Sequence, residues 1–102
     1  MTFRHFTRKE FDCQQTGEND MQDEFIHSLD TLRHECGFSF RITSGYRSPS
    51  HSIEARKAKP GTHAQGIAAD IGTTDGYERY IIVKNAMAMG FSGIGIHKTF
   101  VH

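Results

Sequence analysis

His63 and Asp70 stand seven residues apart in the stretch Gly61-Thr62-His63-Ala64-Gln65-Gly66-Ile67-Ala68-Ala69-Asp70, and that odd spacing restricts how the chain around them can fold. Side chains on a strand alternate faces with a period of two, so on one regular strand the pair would point in opposite directions. Imidazole nitrogen and carboxylate oxygen are both good ligands for a borderline cation such as zinc. For both to reach one ion, His63 must sit in a loop and only Asp70 on the strand that follows. Gly66 lets the backbone turn between them, and Ala68 and Ala69 leave the surroundings uncrowded. Pro60-Gly61 marks a turn just upstream. On these two residues alone, a surface histidine and a loop aspartate is the plainer reading.

The rest of the chain supplies the missing partners. A catalytic zinc takes three protein ligands and keeps a fourth position open. The sequence closes on Gly93-Ile94-Gly95-Ile96-His97-Lys98-Thr99-Phe100-Val101-His102, which offers a third imidazole, and Ser44-Gly45-Tyr46-Arg47-Ser48-Pro49 is a turn carrying an arginine. These three motifs, SGYRSP, GTHAQGIAAD and GIGIHKTFVH, resemble in order and spacing the zinc D-alanyl-D-alanine carboxypeptidases and murein endopeptidases. The likeness is greatest to the small single-domain members from bacteria and phages, and it runs from Phe6 to His102.

The resemblance implies a set of roles. His63, Asp70 and His102 match the family's metal ligands, with Zn2+ as the cofactor. Two imidazoles and one carboxylate leave that ion positively charged, the condition for activating water and polarising a peptide carbonyl. Arg47 matches the family's arginine, whose forked donors suit a substrate carboxylate or a developing oxyanion. Ser44 and Tyr46 shape the turn, and Ser44 is a candidate donor behind the ligands. The closing motif departs from the family: Gly93 to His102 contains no Asp or Glu to act as general base. His97 matches a histidine of some relatives and is the candidate for binding the oxyanion or moving protons; an exposed turn histidine is the competing reading. The sequence ends at His102, which on this reading is mid-strand, so a truncated C-terminus is expected.

At 102 residues the chain is read as one domain, residues 1–102, with a core weighted toward its eight Phe. Lys plus Arg equals Asp plus Glu, which argues against a dedicated nucleic-acid binder. No apolar run approaches the roughly 18 residues that span a bilayer, and Met1 to Phe6 lacks the apolar core of a secretory signal. Synthesis in the cytoplasm followed by action on the cell wall is therefore expected. Cys13 and Cys36 lack the spacing of a zinc thiolate site and are read as free thiols, Cys36 as apolar filler.

In chain order, Thr7 and Glu10 form a capping box over a short segment anchored by Phe6 and Phe11. A helix starts at Asn19 or Asp20, places Met21, Phe25, Leu29 and Leu32 on one face, and stops at Gly37. Phe38 to Thr43 alternates as a half-buried strand. Glu54 to Ala58 gives one helical turn, with His51, Lys57 and Lys59 as a solvated rim. Ile67 to Ile71 reads as a buried strand. Asp75-Gly76 introduces a second helix, Tyr77 to Met89, whose broad apolar face includes Tyr80, Ile81, Val83 and Met87. Phe91 to Ile96 and Thr99 to His102 read as strands joined by a tight turn at His97-Lys98. Two helices against a small, mostly antiparallel sheet make an α+β domain. The resemblance implies the same class, a hedgehog/D-Ala-D-Ala-peptidase-like fold.

The leading functional expectation is a monomeric zinc metallopeptidase that cleaves peptidoglycan stem peptides at D-Ala-D-Ala or another bond involving a D-residue. A phage endolysin or virion-associated wall hydrolase fits the size. Two other classes stay open: a catalytically silent zinc-binding structural or wall-binding module, and a metal-free interaction domain.

Overall fold

The computed structural model describes residues 3–48, 51, 61–63 and 65–102. A short 3-10 helix, Arg8–Phe11, precedes α1 (Asp23–Cys36), β1 (Arg41–Ser44), β2 (Asp70–Gly72), α2 (Gly76–Ala88) and β3 (Phe100–Val101). The strands form one antiparallel sheet in the order β1-β2-β3. The α+β class expected from the sequence is the one observed. The helical turn expected over Glu54 to Ala58, with Lys57 and Lys59, lies outside the described residues.

The N-terminal segment is held by polar contacts as well as by its rings. Glu10 accepts the backbone N–H of Thr7 at 2.6 Å, closing the expected capping box. Asp30, buried on α1, accepts the backbone N–H groups of Arg4 and His5 at 2.9 and 2.7 Å. Phe6 and Phe11 meet edge to face at 5.2 Å, and Arg33 lies over Phe6. The core continues through Ile26, Leu29 and Leu32 of α1 to Ile71, Ile82 and Val101.

Several element boundaries move. α1 begins at Asp23 rather than at Asn19 or Asp20, because Asn19 is engaged elsewhere: its amide donates to Arg8 C=O and to Asp12, and it accepts from Met21 N–H. Met21 is buried, but from the segment before the helix. Asp23 and Glu24 in the first turn and Arg33 and His34 in the last oppose the helix dipole. Gly37 ends α1 with φ +80°, the left-handed conformation glycine adopts most readily. Phe38 and Phe40 pack on the core, yet only residues 41–44 pair in the sheet.

The strand expected over Ile67 to Ile71 shrinks to Asp70–Gly72. Ile67 is 44% exposed, and its N–H bonds Thr62 C=O, so it still belongs to the loop. α2 keeps its expected place, and Asp75 caps it by accepting Glu78 N–H at 2.9 Å. Its apolar face is narrower than expected. Ile82 and Ala86 are buried, whereas Tyr80 and Met87 are 58% and 67% exposed, since helical spacing carries them off the buried side. Residues 91–95 form no strand, and Ile96 contributes only a single bridge to Val101. The turn lies at Lys98-Thr99, one residue later than expected, because His97 N–H already pairs with Phe100 C=O. Cys13 is buried and Cys36 half-buried, both as free thiols.

Gly45, just past the end of β1, sits close against rigid backbone: a Cβ there would lie 2.6 Å from Phe11 backbone atoms. Gly45→Ala is expected to cost about 1–3 kcal/mol, read as a melting temperature lowered by at least roughly 4 °C. Gly76, with open space around it on α2, is the contrast. Gly76→Ala should leave melting unchanged or raise it. Equal melting of wild type and Gly45→Ala would contradict this packing.

Candidate metal centre

Four segments converge on one point: the turn after β1, the 61–66 loop, the first residue of β2 and the last residue of the chain. Sheet register explains two of them. Ile71 pairs with Val101 and Gly72 with Phe100, so continuing the antiparallel register sets Asp70 across from His102. Gly95 and His102 exchange both backbone hydrogen bonds, at 3.0 and 2.8 Å, which fixes the end of the chain against the 91–95 segment. On the other edge of β2 a bulge between Ile42 and Ser44 brings Ser44 opposite Asp70. The turn that follows is thereby aimed at the same place.

The loop bearing His63 is stitched to that turn twice. His63 Nδ1 donates to Gly45 C=O at 2.7 Å, and Arg47 N–H donates to His63 C=O at 3.3 Å. Within the loop, Gly66 adopts φ +75°, and a Cβ there would lie 2.4 Å from Asp20 O, so the position requires glycine. The separation of roles derived from the seven-residue spacing is the one seen: His63 in a loop, Asp70 opening a strand.

The three side chains present one ligand atom each to a common space. His63 Nε2 lies 3.4 Å from Asp70 Oδ1 and 3.2 Å from His102 Nδ1, and His102 Nδ1 lies 2.8 Å from Asp70 Oδ1. Bonds of 2.0–2.1 Å at a tetrahedral angle put ligand atoms roughly 3.3 Å apart, so a triangle of these sides is the size a zinc ion needs. No other His, Cys, Asp or Glu among the described residues joins a cluster of this kind.

Proton placement makes the argument stronger. A carbonyl oxygen only accepts, so the short contact to Gly45 assigns the proton of a neutral His63 to Nδ1. His63 Nε2 is then a lone pair facing a carboxylate oxygen. Two acceptors in contact, on side chains only 5% and 8% exposed, call for a proton or a cation shared with them, and His102 Nδ1 lies within reach of both, at 3.2 and 2.8 Å. Burial by itself would raise the Asp70 pKa, but hydrogen bonds and charge from His63 and His102, with those rings protonated, outweigh it and hold the carboxyl below its ordinary range. The side the triangle leaves open is marked by the more exposed His102 and Arg47 side chains, at 34% and 17%. These are the requirements for a catalytic metal site: an anionic ligand, oriented imidazoles and access from solvent.

Arg47 extends toward the site as expected. Its Nη2 is 3.6 Å from Asp70 Oδ2, and its Nε donates to Ser44 Oγ at 3.2 Å. Ser44 thus holds the arginine rather than a metal ligand. His97 is exposed but better held than a turn position suggests. Its ring stacks on Phe100 with centroids 4.2 Å apart and an interplanar angle of 15°. Gly95 pairs with His102 and His97 with Phe100, so all four residues share one face of the hairpin. A methyl group on Gly95 would lie 3.1 Å from His97 Nε2 and 3.3 Å from His102 Cβ. His97 stands beside the triangle without joining it.

Three contributors escape sequence reasoning. Gly45 acts through its carbonyl, which no side chain announces. Arg79 of α2 donates to Lys98 C=O at 2.7 Å, while Thr73 N–H donates to Thr99 C=O at 2.9 Å. Together they moor the hairpin that carries His97 and His102, and an arginine within a largely exposed helix face gives no such signal.

A search for similar proteins agrees with this geometry. The family model described as Peptidase M15 matches residues 4–102, nearly the whole chain. No curated protein and no solved structure matches. A sequence matched along almost its full length, with a His-Asp-His cluster at the place the motifs indicate, belongs to the Peptidase M15 family, the metallopeptidases of the zinc D-Ala-D-Ala carboxypeptidase type.

Proposed function

We propose that this chain is a zinc-dependent peptidase that hydrolyses peptide bonds in peptidoglycan stem peptides, as a D-Ala-D-Ala carboxypeptidase or a murein endopeptidase. The observation that carries the reading is the convergence of His63 Nε2, Asp70 Oδ1 and His102 Nδ1 within 3.4 Å of one another, a triangle that a zinc ion would fill. His63, Asp70 and His102 hold the ion. When bound, zinc supplies Lewis acidity toward the scissile carbonyl and a nucleophile at neutral pH.

The chain's own residues supply the rest. Arg47, at the open side of the triangle, receives a substrate carboxylate or the negative charge that develops on the scissile carbonyl oxygen. Its partner Asp70 and its tether Ser44 aim the guanidinium, so positioning costs little at the moment of reaction. His97 accepts a proton from the attacking water and returns one to the leaving amine. Its ring, fixed by Phe100 on the face shared with His102, supports that role. The reading takes residues 1–102 as one catalytic domain working as a monomer on the cell wall. The continuous core supports the single domain, and the balanced charge supports a substrate other than nucleic acid. No helix among the described residues is long and apolar enough to cross a membrane.

Elemental analysis of protein purified without chelators should find one zinc per chain, and chelation should lower the melting temperature. His63→Ala should abolish both effects. Protein that takes up no zinc even when it is supplied would refute the metal assignment.

Arg47→Lys should keep fold and zinc but lose about 10²–10³-fold in kcat, because an ammonium cannot reproduce the forked donors. His97→Ala should keep zinc and lose about 10²–10⁴-fold. Both are measured as release of D-alanine or cleaved stem peptides from purified peptidoglycan. Zinc binding with no turnover in the wild type would favour a silent wall-binding module, and unchanged turnover in either variant would remove that residue from the mechanism.

A further inference from the structure

The register of the sheet sets two rows of residues side by side on the face that carries the metal ligands. Asp70 and Gly72 are two apart on β2 and share that face, while Ile71 between them packs in the core. The first row holds Ser44 opposite Asp70, then His102 and its partner Gly95. In the second, Arg41 pairs with Gly72, Gly72 with Phe100 and Phe100 with His97. The rows lie about 6.5–7 Å apart along the strands. Gly72 has no side chain, and the Arg41 guanidinium takes the room this leaves: a Cβ on Gly72 would lie 2.8 Å from Arg41 Nη2 and 3.1 Å from Nε. Arg41 is exposed, and among the described residues its guanidinium makes no hydrogen bond and no ion pair. Arg47, by contrast, stands at the first row, 3.6 Å from Asp70 Oδ2. Two guanidinium groups thus share the metal face, Arg47 beside the ligands and Arg41 one row away.

We propose that Arg41 binds a substrate carboxylate lying one or two residues from the scissile bond. Position carries the first part of the assignment. A cation beside a ligand oxygen, as Arg47 is, suits charge that develops on the scissile carbonyl. A cation one row away suits a charge the substrate already carries. An extended peptide advances about 3.3–3.6 Å per residue, so one or two residues cover the distance between the rows. Chemistry carries the second part. A guanidinium with no carboxylate of its own offers forked donors that match one from a ligand. Because Gly72 adds no side chain to the row, that guanidinium lies on the metal face rather than outside it. The substrate class therefore narrows to peptides with a free carboxylate close to the cleaved bond, either a C-terminal carboxylate or an acidic side chain. A D-Ala-D-Ala terminus meets this requirement. The role in turnover rests on the zinc-peptidase reading; the affinity of Arg41 for a carboxylate does not.

The test uses the zinc-loaded full chain and three probes: N-acetyl-D-alanine, N-acetyl-D-alanine amide and N-acetyl-D-glutamic acid α-amide. Binding is followed by the Arg41 Nε–H resonance, identified by its loss in Arg41→Ala. A carboxylate probe should bind about tenfold or more tightly than the alanine amide and shift that resonance. Binding of the first probe assigns a terminal carboxylate, and binding of the third alone assigns an acidic side chain. Arg41→Ala should erase the preference while zinc content and melting temperature are kept. With a peptide carrying the favoured carboxylate, the same variant should raise KM about tenfold and lower kcat by less, the split that ground-state binding gives. Gly72→Ala, whose Cβ meets the guanidinium, should weaken the preference as well. Should it disturb the metal site, Arg41→Ala decides. Equal affinity for all three probes, or a preference surviving in Arg41→Ala, would overturn the assignment. Carboxylate binding at Arg41 with no turnover of any peptide would sink the peptidase reading and leave this site standing. Turnover indifferent to the carboxylate would do the reverse.

Discussion

The hydrogen bond from His63 Nδ1 to Gly45 C=O governs the chemistry of this protein. It fixes the tautomer of a buried imidazole, turns the other nitrogen into a lone pair and directs that lone pair at Asp70. A free imidazole would divide its population between two tautomers, and only one can bind metal through Nε2. The bond also joins two loops that share no secondary structure. The carbonyl is placed by close packing of Gly45 on the Phe11 backbone, so the N-terminal segment reaches the metal centre through a glycine.

The other side of the site depends on a very small sheet. β2 has three residues and β3 two, too little pairing to be stable without support. Support comes from outside the strands. Arg79 and Thr73 hold the Lys98-Thr99 turn, the Gly95–His102 pair extends the hairpin, and the core beneath packs Ile71 and Val101. Buried Asp70 is held below the usual carboxylate range because hydrogen bonds and charge from protonated His63 and His102 outweigh its desolvation, and Arg47 Nη2 lies 3.6 Å from its other oxygen. The three ligand atoms thus share a space in which a proton or a cation is stabilised.

Much of the site was legible because its logic lies in side-chain chemistry and parity of spacing. An odd His–Asp separation on a chain with one nearby turn leaves one arrangement that brings both to an ion, and that arrangement is the one observed. Helix positions followed from periodicity and from Asp75 and Gly37, residues whose capping chemistry is local. Strand boundaries were less legible. Ile67 looks like a buried strand residue by type, yet its N–H is taken by Thr62 C=O, a loop contact no local pattern encodes. Likewise Tyr80 and Met87 are apolar by composition but solvent-facing, because α2 buries only the narrow stripe of Ile82 and Ala86.

The central claim is that His63, Asp70 and His102 bind zinc through two nitrogens and an oxygen. X-ray absorption at the zinc edge of the loaded protein tests it directly. The predicted spectrum has only nitrogen and oxygen neighbours, at about 2.0–2.2 Å, with the outer-shell scattering of two imidazoles. In His102→Ala that outer-shell pattern should fall to one imidazole. A sulfur neighbour at about 2.3 Å would instead place the metal at Cys13 or Cys36, and a spectrum unchanged by His102→Ala would remove the closing histidine from the site.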